Sequence, residues 1–468
     1  MCLNFIFALS IKHKLKEEIN MEKIPNSAIQ LAKLFSEKGY EIFLVGGCVR
    51  DMIMGFVPHD YDFCSNARPE QMMCLCNEFN LKYIPTGLKH GTITICVEND
   101  QYEVTTYRID GDYSDGRHPD TVTFTHSLDN DLARRDFTIN AIAMHPISGR
   151  IVDPFFGREA IKTRVLTTPG DSACSIKDDA LRILRALRFA IRYHLNIENH
   201  LAVAIDNYKD MLSVEAGLVS RERVTDEFRK ILTCDRYISR VFKLFHDVIA
   251  VCIPEIEDCF YFEQNNKYHA YDVYVHTLHV VDNCETDKFE IKMAALLHDI
   301  GKPHCYSEDA DGFGHFYGHA KVSADICKSL LKERFRLSND EYFRIIELVE
   351  FHDMEIPQTT KSIKRMLSTH GLDFINDWLV LKEADIEDHI NNADMKEKLQ
   401  TMKILLADVL SEEQTLTVKD LAVNGKDLMQ ELHMKPGKAV GFILNSMLEK
   451  VLNEEVENTK EALLSLVK

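Results

Sequence analysis

The segment LVGGCVRDMIMGFVPHDYDF, residues 44–63, carries the most informative pattern of the chain. A strand-like run, EIFLV, ends at Gly46-Gly47, and Asp60 and Asp62 follow two residues apart beside another apolar stretch. Because alternate residues of a strand point to the same side, the two carboxylates are predicted to converge on one face of a small sheet. Taken alone, the glycines would be a plain tight turn and the aspartates a solvated sheet edge.

Taken together, these groups suit phosphate and magnesium chemistry. Proteins hold Mg²⁺ with a few carboxylates plus substrate phosphates, and two such ions can activate an attacking hydroxyl. The diglycine would let the backbone approach a triphosphate and offer its N–H groups, and Arg50 would clamp a phosphate. The alternative for Arg50 is a surface ion pair with Asp51.

Two further positions are candidates for the same site. Glu103, in YEVTTYR, is the best-placed third acid on a neighbouring strand, although an outward-facing strand residue fits its pattern equally well. In RRDFTINAIA, Arg134 and Asp136 would pair with phosphate and ribose while Asn140 orients the site. The alternative for this cluster is a basic cap on a core strand.

Composition limits the possible partners and compartment. The 468 residues are enough for two to four domains, and the 13 cysteines include no Cys-x-x-Cys pair, which favours a reducing cytoplasm. The net charge of -19 argues against general coating of nucleic acid. The stretch 134–243, however, has 19 Lys+Arg against 14 Asp+Glu, a net of +5, and is where a polyanion would dock. The apolar run at 3–11 is too short to span a bilayer, so no membrane association is expected.

The order of the motifs resembles one family closely. GGCVRD, PHDYD, RRDFTINAIA and VDPFFG, spread over roughly residues 24–232, look like the class II CCA-adding tRNA nucleotidyltransferases and their poly(A) polymerase relatives, of the bacterial type. The resemblance implies a nucleotidyltransferase-fold head, Mg²⁺ held by Asp60 and Asp62, and stepwise addition of C, C and A to the tRNA 3′ end from CTP and ATP. The loop 108–120, with Asp115 and Arg117, resembles the full-length form of members that also add the terminal A.

The segment DDALRILRALRF, from residue 178, is predicted to select the nucleotide. On one helix Asp179 and Arg182 would be neighbours at i and i+3, offering an acceptor beside a fork of donors that imitates the pairing partner of cytosine or adenine. An ordinary salt bridge is the alternative. Arg185 continues a cationic line along this helix, and the family resemblance implies that Glu222 and Arg223 brace it.

An ordered set of histidines and aspartates predicts a second metal site. An adjacent His and Asp in the apolar stretch AALLHDIGK would be costly to bury without a partner or a metal. The set resembles the HD phosphohydrolase superfamily over about residues 269–389, which implies a divalent metal, of unspecified identity, and a phosphatase or 2′,3′-cyclic phosphodiesterase activity. The implied ligands are His276, His298, Asp299, His319, His352 and Asp385. A relict domain that only binds tRNA is the alternative.

These observations predict a multi-domain enzyme: an α+β nucleotidyltransferase-fold head with a small mixed sheet, then an all-α neck and body and an all-α HD domain. Its predicted partners are tRNA, CTP and ATP, with no obligate protein partner. Three rival functions remain: a poly(A) polymerase of the same family, an HD-type nucleotide phosphohydrolase whose head only senses nucleotide, and a structural RNA-binding scaffold. The predicted boundaries are an N-terminal extension at 1–20, the head at 21–155, the neck and body at 156–265, the HD domain at 266–395 and a helical tail at 396–468.

Overall fold

The structure is a computed structural model that describes residues 24–111, 121–235, 237–411, 417–453 and 455–467. The chain divides into two compact units: one runs to Ile231 and includes Phe245–Cys252, and the other comprises Leu232–Leu244 and Ile253 onward. The five-part division drawn from the sequence remains a prediction, and its extension at 1–20 lies outside the described residues.

The first unit is organised around a mixed β-sheet. Its strands are β1 (Ile42–Val45), β2 (Phe63–Ser65), β3 (Lys82–Gly87), β4 (Thr92–Val97), β5 (Asp100–Thr106), β6 (Arg108–Asp110), β7 (Val122–Phe124), β8 (Ala143–Met144) and β9 (Ile151–Val152). Seven of them form one sheet in the order β3-β4-β5-β2-β1-β8-β9, while β6 and β7 pair separately. Strand β2 is antiparallel to β1 and parallel to β5, which places it at the centre of the sheet.

Helices surround this sheet and continue beyond it. Those of the first unit are α1 (Asn26–Glu37), α2 (Gly47–Ile53), α3 (Pro69–Glu78), α4 (Leu128–Ala133), α5 (Gly157–Thr163), α6 (Ser172–Asp178), α7 (Arg182–Arg192), α8 (Asn199–Tyr208) and α9 (Arg221–Cys234), whose last turn enters the second unit. Leu184, Leu187 and Ile191 of α7 recur at helical spacing and form a buried apolar stripe on one face of the helix.

Two details of the sequence-based assignment are wrong. Asp60 and Asp62 were expected on one face of a strand, but the strand begins only at Phe63, so both precede it in an irregular segment. The neck and body at 156–265 were predicted to be all-α, yet β10 (Val165–Leu166) pairs with β11 (Asn196–Ile197). Pairings of two residues are too short to produce an alternating pattern that a sequence could reveal.

The second unit is almost entirely helical. Its helices are α10 (Ile238–Leu244), α12 (Val273–Asn283), α13 (Phe289–Leu297), α14 (His319–Arg334), α15 (Asn339–Phe351), α16 (Thr360–Asp388), α17 (Ala393–Ser411), α18 (Gly425–Glu431), α19 (Lys438–Leu452) and α20 (Lys460–Ser465), while α11 (His246–Cys252) belongs to the first unit. A short hairpin of β12 (Ser307–Glu308) and β13 (Gly314–His315) interrupts them. Within the described ranges, no helix has both the length and the apolar character required to cross a bilayer.

The helices of the second unit form its core. Helix α13 is buried along its length except at Glu290, in keeping with its mainly apolar sequence. Trp378 of α16 is fully buried and its indole N–H donates to the carbonyl oxygen of Phe351 at 2.8 Å. A separate apolar cluster joins the last three helices, where Leu428, Leu444 and Leu463 pack together. Helices α12 to α16 therefore provide a rigid frame for the polar groups described below.

Candidate active sites

A turn with a bare backbone follows the first strand of the head. Gly46 has φ 76° and ψ -131°, a conformation that disfavours a side chain, and it precedes α2. A Cβ added to Gly46 would lie 3.3 Å from Nη1 of Arg135, and one added to Gly47 would lie 3.5 Å from Nη2 of Arg50. The diglycine therefore brings uncovered backbone close to two guanidinium groups, as a phosphate-binding turn requires.

The acidic residues of the head meet beside this turn. The backbone carbonyl of Asp62 accepts a hydrogen bond from the N–H of Val45 at 3.0 Å, which extends the β1–β2 ladder by one residue. Because Phe63 pairs in parallel register with Val104, Asp62 and Glu103 hold equivalent positions on adjacent strands and point to the same face. Asp60 lies two residues before Asp62 in the same segment.

Electrostatics supports a cation-binding role for these acids. Desolvation by the surrounding protein raises the pKa of the Asp62 carboxyl, and the negative charges of Glu103 and Asp60 raise it further, against the lowering effect of Arg135. Crowded carboxylates with exposed side chains are the oxygen donors that Mg²⁺ prefers. Asp60, Asp62 and Glu103 are not among the described groups of three whose ligand atoms all lie within 4.8 Å of one another, and those groups belong to the second unit.

A buried aspartate organises the arginines of the head. Asp131 is 0% exposed, and its two carboxylate oxygens accept hydrogen bonds from Arg134 at 2.7 Å and Arg135 at 3.1 Å. Arg134 also contacts Asp110, at 3.5 Å, whereas Nε of Arg135 has no hydrogen-bond partner. Asp131 and Arg135 were not among the residues predicted from the sequence. The sequence does contain a pattern that could have indicated them. Asp131 lies three positions before Arg134 and four before Arg135, a spacing that allows ion pairs on one helical face.

Four of the predicted nucleotide-binding residues are joined in one hydrogen-bonded network. Arg50 donates from Nη1 to Oδ1 of Asn140 at 2.6 Å and from Nε and Nη2 to Oδ1 of Asp51 at 2.9 and 2.8 Å. Asn140 donates to Oδ1 of Asp136 at 2.9 Å, and Oδ2 of Asp136 accepts from Arg185 at 3.0 and 2.5 Å. The structure thus brings Arg50, Asp136, Asn140 and Arg185 together as a link between α2 and α7.

Aromatic rings and a second acid complete this link. The guanidinium carbon of Arg50 lies 4.7 Å from the ring centre of Tyr193, whose hydroxyl donates to Asp51 at 3.1 Å. Further along α7, Arg188 is buried and donates to Glu227 at 2.7 Å. Arg185 and Arg188, in the cationic line predicted along α7, therefore form ion pairs within the protein. The sequence could not show this, because the acidic partners come from other segments.

The network makes a prediction about acid stability. Burial alone would raise the pKa of Asp136, but the charge of Arg185 and hydrogen bonds from Asn140 and Arg185 lower it to about 2. Because this pKa is below the value of about 3.9 in an unfolded chain, the ionised carboxylate adds about 2 to 3 kcal/mol of stability above pH 4. That contribution is lost as the pH falls from about 4 to 2. Denaturant titrations should therefore show Asp136→Asn to be less stable than wild type by this amount at pH 7, with a smaller gap below pH 4.

An exposed acid of the same unit is the control for this measurement. Glu70, at the start of α3, is exposed. The free energy of unfolding of Glu70→Gln should therefore be close to that of wild type at every pH. A gap between Asp136→Asn and wild type that stays constant from pH 7 to pH 3 would contradict the assigned role of the ionised carboxylate.

The predicted base-selecting pair differs from its expected geometry. Asp179 and Arg182 are not on one continuous helix, because Asp179 ends α6 in an extended conformation (φ -151°, ψ 101°) and α7 begins at Arg182. The carboxylate of Asp179 accepts from the N–H of Leu181 at 3.1 Å, a local bond that competes with helical continuation. The loop with Asp115 and Arg117 lies outside the described residues.

The two members of this pair have separate partners. Asp179 accepts from Arg223 at 2.7 Å, in keeping with the bracing role predicted for Arg223. Arg182 donates to the hydroxyl of Ser175 at 2.6 Å and to the carbonyl of Arg134 at 3.1 Å. Both side chains are thus held in place beside the head without forming a salt bridge to each other.

In the second unit, four histidines surround one buried aspartate. Oδ2 of Asp299 lies 3.1 Å from Nε2 of His298 and 3.5 Å from Nε2 of His276. Oδ1 of Asp299 lies 3.3 Å from Nε2 of His319 and 3.6 Å from Nε2 of His352. We call these five residues the Asp299 cluster. All five were predicted from the sequence, in segments spread over several helices.

Each histidine of the Asp299 cluster is oriented by a bond on its other nitrogen. Nδ1 of His276 contacts Asp388 at 2.8 Å, and Nδ1 of His298, His319 and His352 contacts the backbone carbonyls of Ala295, Phe316 and Val349 at 2.7 to 2.8 Å. With the proton on Nδ1, the Nε2 lone pairs point to Asp299, as in metal-binding histidines. Nε2 of His276, Nε2 of His298 and Oδ1 of Asp299 are buried without hydrogen-bond partners. These orphaned atoms fit a bound divalent metal.

Further charged groups border the cluster. The predicted ligand Asp385 lies 3.3 Å from His276, and Lys302 lies 2.7 Å from Asp299. Burial opposes ionisation of Asp299, but the neighbouring His298 and Lys302 side chains hold its pKa well below its usual range. The cluster opens into a cavity of about 560 Å³, which we call the Asp299 cavity.

Two more histidines at this site were not predicted from the sequence. His269 and His389 form a compact group with His276, and both line the Asp299 cavity. His389 had a recognisable signal, because it lies four residues after Asp385 and contacts it at 3.4 Å. His269 lies in a polar loop whose pattern indicates nothing about its position in the fold.

A mixed sheet that carries paired carboxylates beside a diglycine turn defines a nucleotidyltransferase. The Poly A polymerase head domain matches residues 42–167, and a putative tRNA nucleotidyltransferase domain 2 matches residues 311–467. The CCA-adding enzyme of Bacillus mycoides (strain KBAB4) is 30% identical over 434 residues, covering 93% of this chain and 96% of the relative. The chain therefore belongs to the family of CCA-adding enzymes.

Other relatives agree with this assignment. The CCA-adding enzyme of Geobacillus thermodenitrificans (strain NG80-2) is 42% identical over 207 residues, covering 44% of this chain and 48% of the relative. The Bacillus stearothermophilus CCA-adding enzyme in complex with CTP has a TM-score of 0.70 and 26% identity, covering 95% of this chain and 97% of that one. The family resemblance, the fold class and the nucleotidyltransferase class predicted from the sequence are confirmed.

Proposed function

We propose that this chain adds C, C and A to the 3′ end of tRNA, with CTP and ATP as substrates. The observation that supports this most strongly is the match to the Bacillus mycoides enzyme along 93% of the chain. The similar Bacillus stearothermophilus enzyme is described in complex with CTP. A cytoplasmic location, predicted from the cysteines, is part of this proposal.

The proposed roles in the head follow from its geometry. Asp60 and Asp62, with Glu103 beside them, would hold Mg²⁺, and the bare backbone at Gly46 and Gly47 would accommodate the triphosphate. Bound Mg²⁺ would neutralise developing negative charge during phosphoryl transfer and favour deprotonation of the attacking 3′ hydroxyl. Arg50 is engaged by Asp51 and Asn140, whereas Nη1 of Arg135 would lie 3.3 Å from a Cβ added to Gly46, so Arg135 would meet the triphosphate.

The remaining residues predicted to bind nucleotide have a positioning role in this proposal. Arg50, Asp136, Asn140 and Arg185 would fix α7 against the head, and Arg134 would present its carbonyl to Arg182. Asp179 and Arg182 would then face the incoming base. Their hydrogen-bonding edges are complementary to cytosine and adenine and mismatched to guanine and uracil.

An incorporation assay tests the proposed activity. Transfer RNA that lacks its terminal CCA is incubated with Mg²⁺ and with each nucleoside triphosphate separately and in pairs. We expect two additions from CTP alone and a third when ATP is also present. Repeated incorporation of A alone would instead indicate a poly(A) polymerase of the same family, and no incorporation at all would overturn the proposal.

Substitution of Arg182 tests the base-selecting pair. Arg182→Ala should lower the preference for CTP and ATP over UTP and GTP by about a hundredfold or more, because a site that hydrogen-bonds one base edge strongly rejects a mismatched one. The measurement is kcat/KM for all four triphosphates. Arg192→Ala is the matched control, because Arg192 is an exposed arginine at the end of the same helix. A lower rate with unchanged selectivity would argue against base selection by Arg182.

We further propose that the second unit is a metal-dependent phosphohydrolase. The observation that supports this proposal is the Asp299 cluster, in which four oriented histidines surround a buried carboxylate and Nε2 of His276 and of His298 makes no hydrogen bond. A divalent metal bound there would polarise a phosphoester and lower the pKa of a water molecule. His276, His298, Asp299 and Asp385 would hold one ion, and His319 and His352 would supply ligands for a second. The alternative is a helical unit that binds tRNA without catalysis.

A further inference from the structure

The opening of the Asp299 cavity is lined by exposed aromatic side chains. Tyr317 is 79% exposed, Tyr268 is 49% exposed and Phe313 is 47% exposed, and all three line the cavity. Large rings are ordinarily buried or paired, so three exposed rings around one polar opening mark a binding surface. We call these three residues the aromatic rim.

The rim is held in place by the hairpin of β12 and β13. His315 contacts Asp309 at 3.0 Å, and its ring stacks on that of Tyr317 with centres 5.3 Å apart and planes 8° apart. A Cβ on Gly314 would lie 2.4 Å from the carbonyl oxygen of Gln264, so the hairpin is pressed against the chain segment that carries Tyr268. One face of Tyr317 is therefore supported while the ring remains exposed.

The floor and the mouth of the cavity carry complementary chemistry. Lys302, at the floor, lies 2.7 Å from Asp299 and 2.8 Å from Gln264. Lys267, at the mouth, lies with its ammonium group 5.2 Å from the ring centre of Tyr268. A volume of about 560 Å³ is within the range of small-molecule sites. The cavity thus offers cations for a phosphate and flat apolar surfaces for an aromatic group.

We propose that the aromatic rim, with Tyr317 as its main member, stacks on the nucleobase of a nucleotide whose phosphoester lies at the Asp299 cluster. The substrate is then a nucleoside monophosphate, either free or as the 3′-terminal residue of an RNA. This inference rests on the proposed phosphohydrolase activity and names its substrate class. Stacking on one aromatic side chain is sequence-tolerant, so the site accepts any base.

Hydrolysis assays on the full chain, loaded with Mn²⁺ or Mg²⁺, test the inference. The substrates are adenosine 3′-monophosphate, an RNA oligonucleotide with a 3′-phosphate, and glycerol 2-phosphate, which has no base. Tyr317→Ala should raise KM for the nucleotide about tenfold to a hundredfold and leave kcat/KM for glycerol 2-phosphate unchanged. Tyr317→Phe should retain the wild-type KM because it keeps the ring. Phe343→Ala is the control, because Phe343 is an exposed aromatic residue outside the cavity, and this variant should keep the wild-type KM for the nucleotide.

The outcomes separate the rim from the activity. If Tyr317→Ala changed the kinetic constants for the nucleotide and for glycerol 2-phosphate equally, or changed neither, base stacking by the aromatic rim would be rejected. The proposed phosphohydrolase activity would not be affected by that result. A shift for adenosine 3′-monophosphate alone indicates a free nucleotide, and a shift for both nucleotides supports an RNA end as well. If wild type hydrolyses none of the substrates, the phosphohydrolase activity is rejected. Calorimetric titration of adenosine 3′-monophosphate into wild type and Tyr317→Ala then tests base stacking without any hydrolysis. Equal affinities of the two proteins would overturn the proposal that Tyr317 stacks on the base.

Discussion

Asp62→Asn is expected to reduce CCA addition by about a thousandfold or more without unfolding the head. The substitution removes one of the negative charges that would hold Mg²⁺, and the metal contributes several kcal/mol to phosphoryl transfer. The fold should persist, because Asp62 joins the sheet through its backbone carbonyl, which asparagine keeps. The measurement is kcat/KM for CTP incorporation into tRNA that lacks CCA, with circular dichroism to confirm the fold.

Two comparisons make this result specific. Glu70→Gln removes an exposed acid from the same unit and should leave incorporation within a factor of two of wild type. Phosphoester hydrolysis by Asp62→Asn should also remain at the wild-type level, because the Asp299 cluster belongs to the other unit. If Asp62→Asn retained a tenth or more of the wild-type transfer rate, the carboxylates of the head could not be the metal site.

The head shows which parts of a site can be predicted from local patterns. The strands β1, β4 and β5 and the helix α1 were predictable because alternation and helical periodicity are local. The pairing of Asp62 with Glu103 was not, because it depends on a parallel register between β2 and β5, which are separated by two other strands in sequence. The sequence pattern around Glu103 therefore fitted a site residue and an outward-facing strand residue equally well, and only the order of the sheet distinguishes them.

The arginines of the head show a different limit. The sequence analysis assigned Arg50 and Asp136 to phosphate and ribose, Asn140 to orienting the site and Arg185 to a cationic line, without indicating that these residues contact one another. Arg50 and its partner Asn140 are 90 residues apart in the sequence, and Asp136 and its partner Arg185 are 49 residues apart. A charged residue in a motif cannot reveal whether its counter-charge comes from a ligand or from a distant segment of the chain. Burial decides this, and burial is a property of the fold.

The histidine site was more predictable because burial could be inferred from the sequence. In AALLHDIGK, four apolar residues precede His298 and Asp299, and every residue of helix α13 except Glu290 is buried. A buried acid and imidazole need partners, so the apolar context of this segment was sufficient to indicate a site. His269 had no such surroundings and was missed. Apolar context therefore indicated that His298 and Asp299 form part of a site, whereas His269 joins that site only through the fold.

Asp299→Asn is expected to abolish phosphoester hydrolysis and to lower the divalent metal content of the protein. Both oxygens of Asp299 face two histidines each, so loss of its charge weakens every ligand set that includes it. We expect at least a thousandfold drop in hydrolysis, because the metal supplies the main stabilisation of charge. A metal that binds only the folded protein also stabilises it, so Mn²⁺ should raise the melting temperature of wild type and not of Asp299→Asn.

Transfer activity separates a metal effect from a general loss of structure. The Asp299→Asn protein should still add CCA to tRNA at the wild-type rate, since the head carboxylates and the diglycine belong to the first unit. Asp373→Asn, an exposed aspartate of α16, should leave hydrolysis, metal content and melting temperature unchanged. If Asp299→Asn bound as much metal as wild type and hydrolysed phosphoesters as fast, the four histidines would have to be explained as a buried structural cluster, and the second unit would be a helical tail without chemistry of its own.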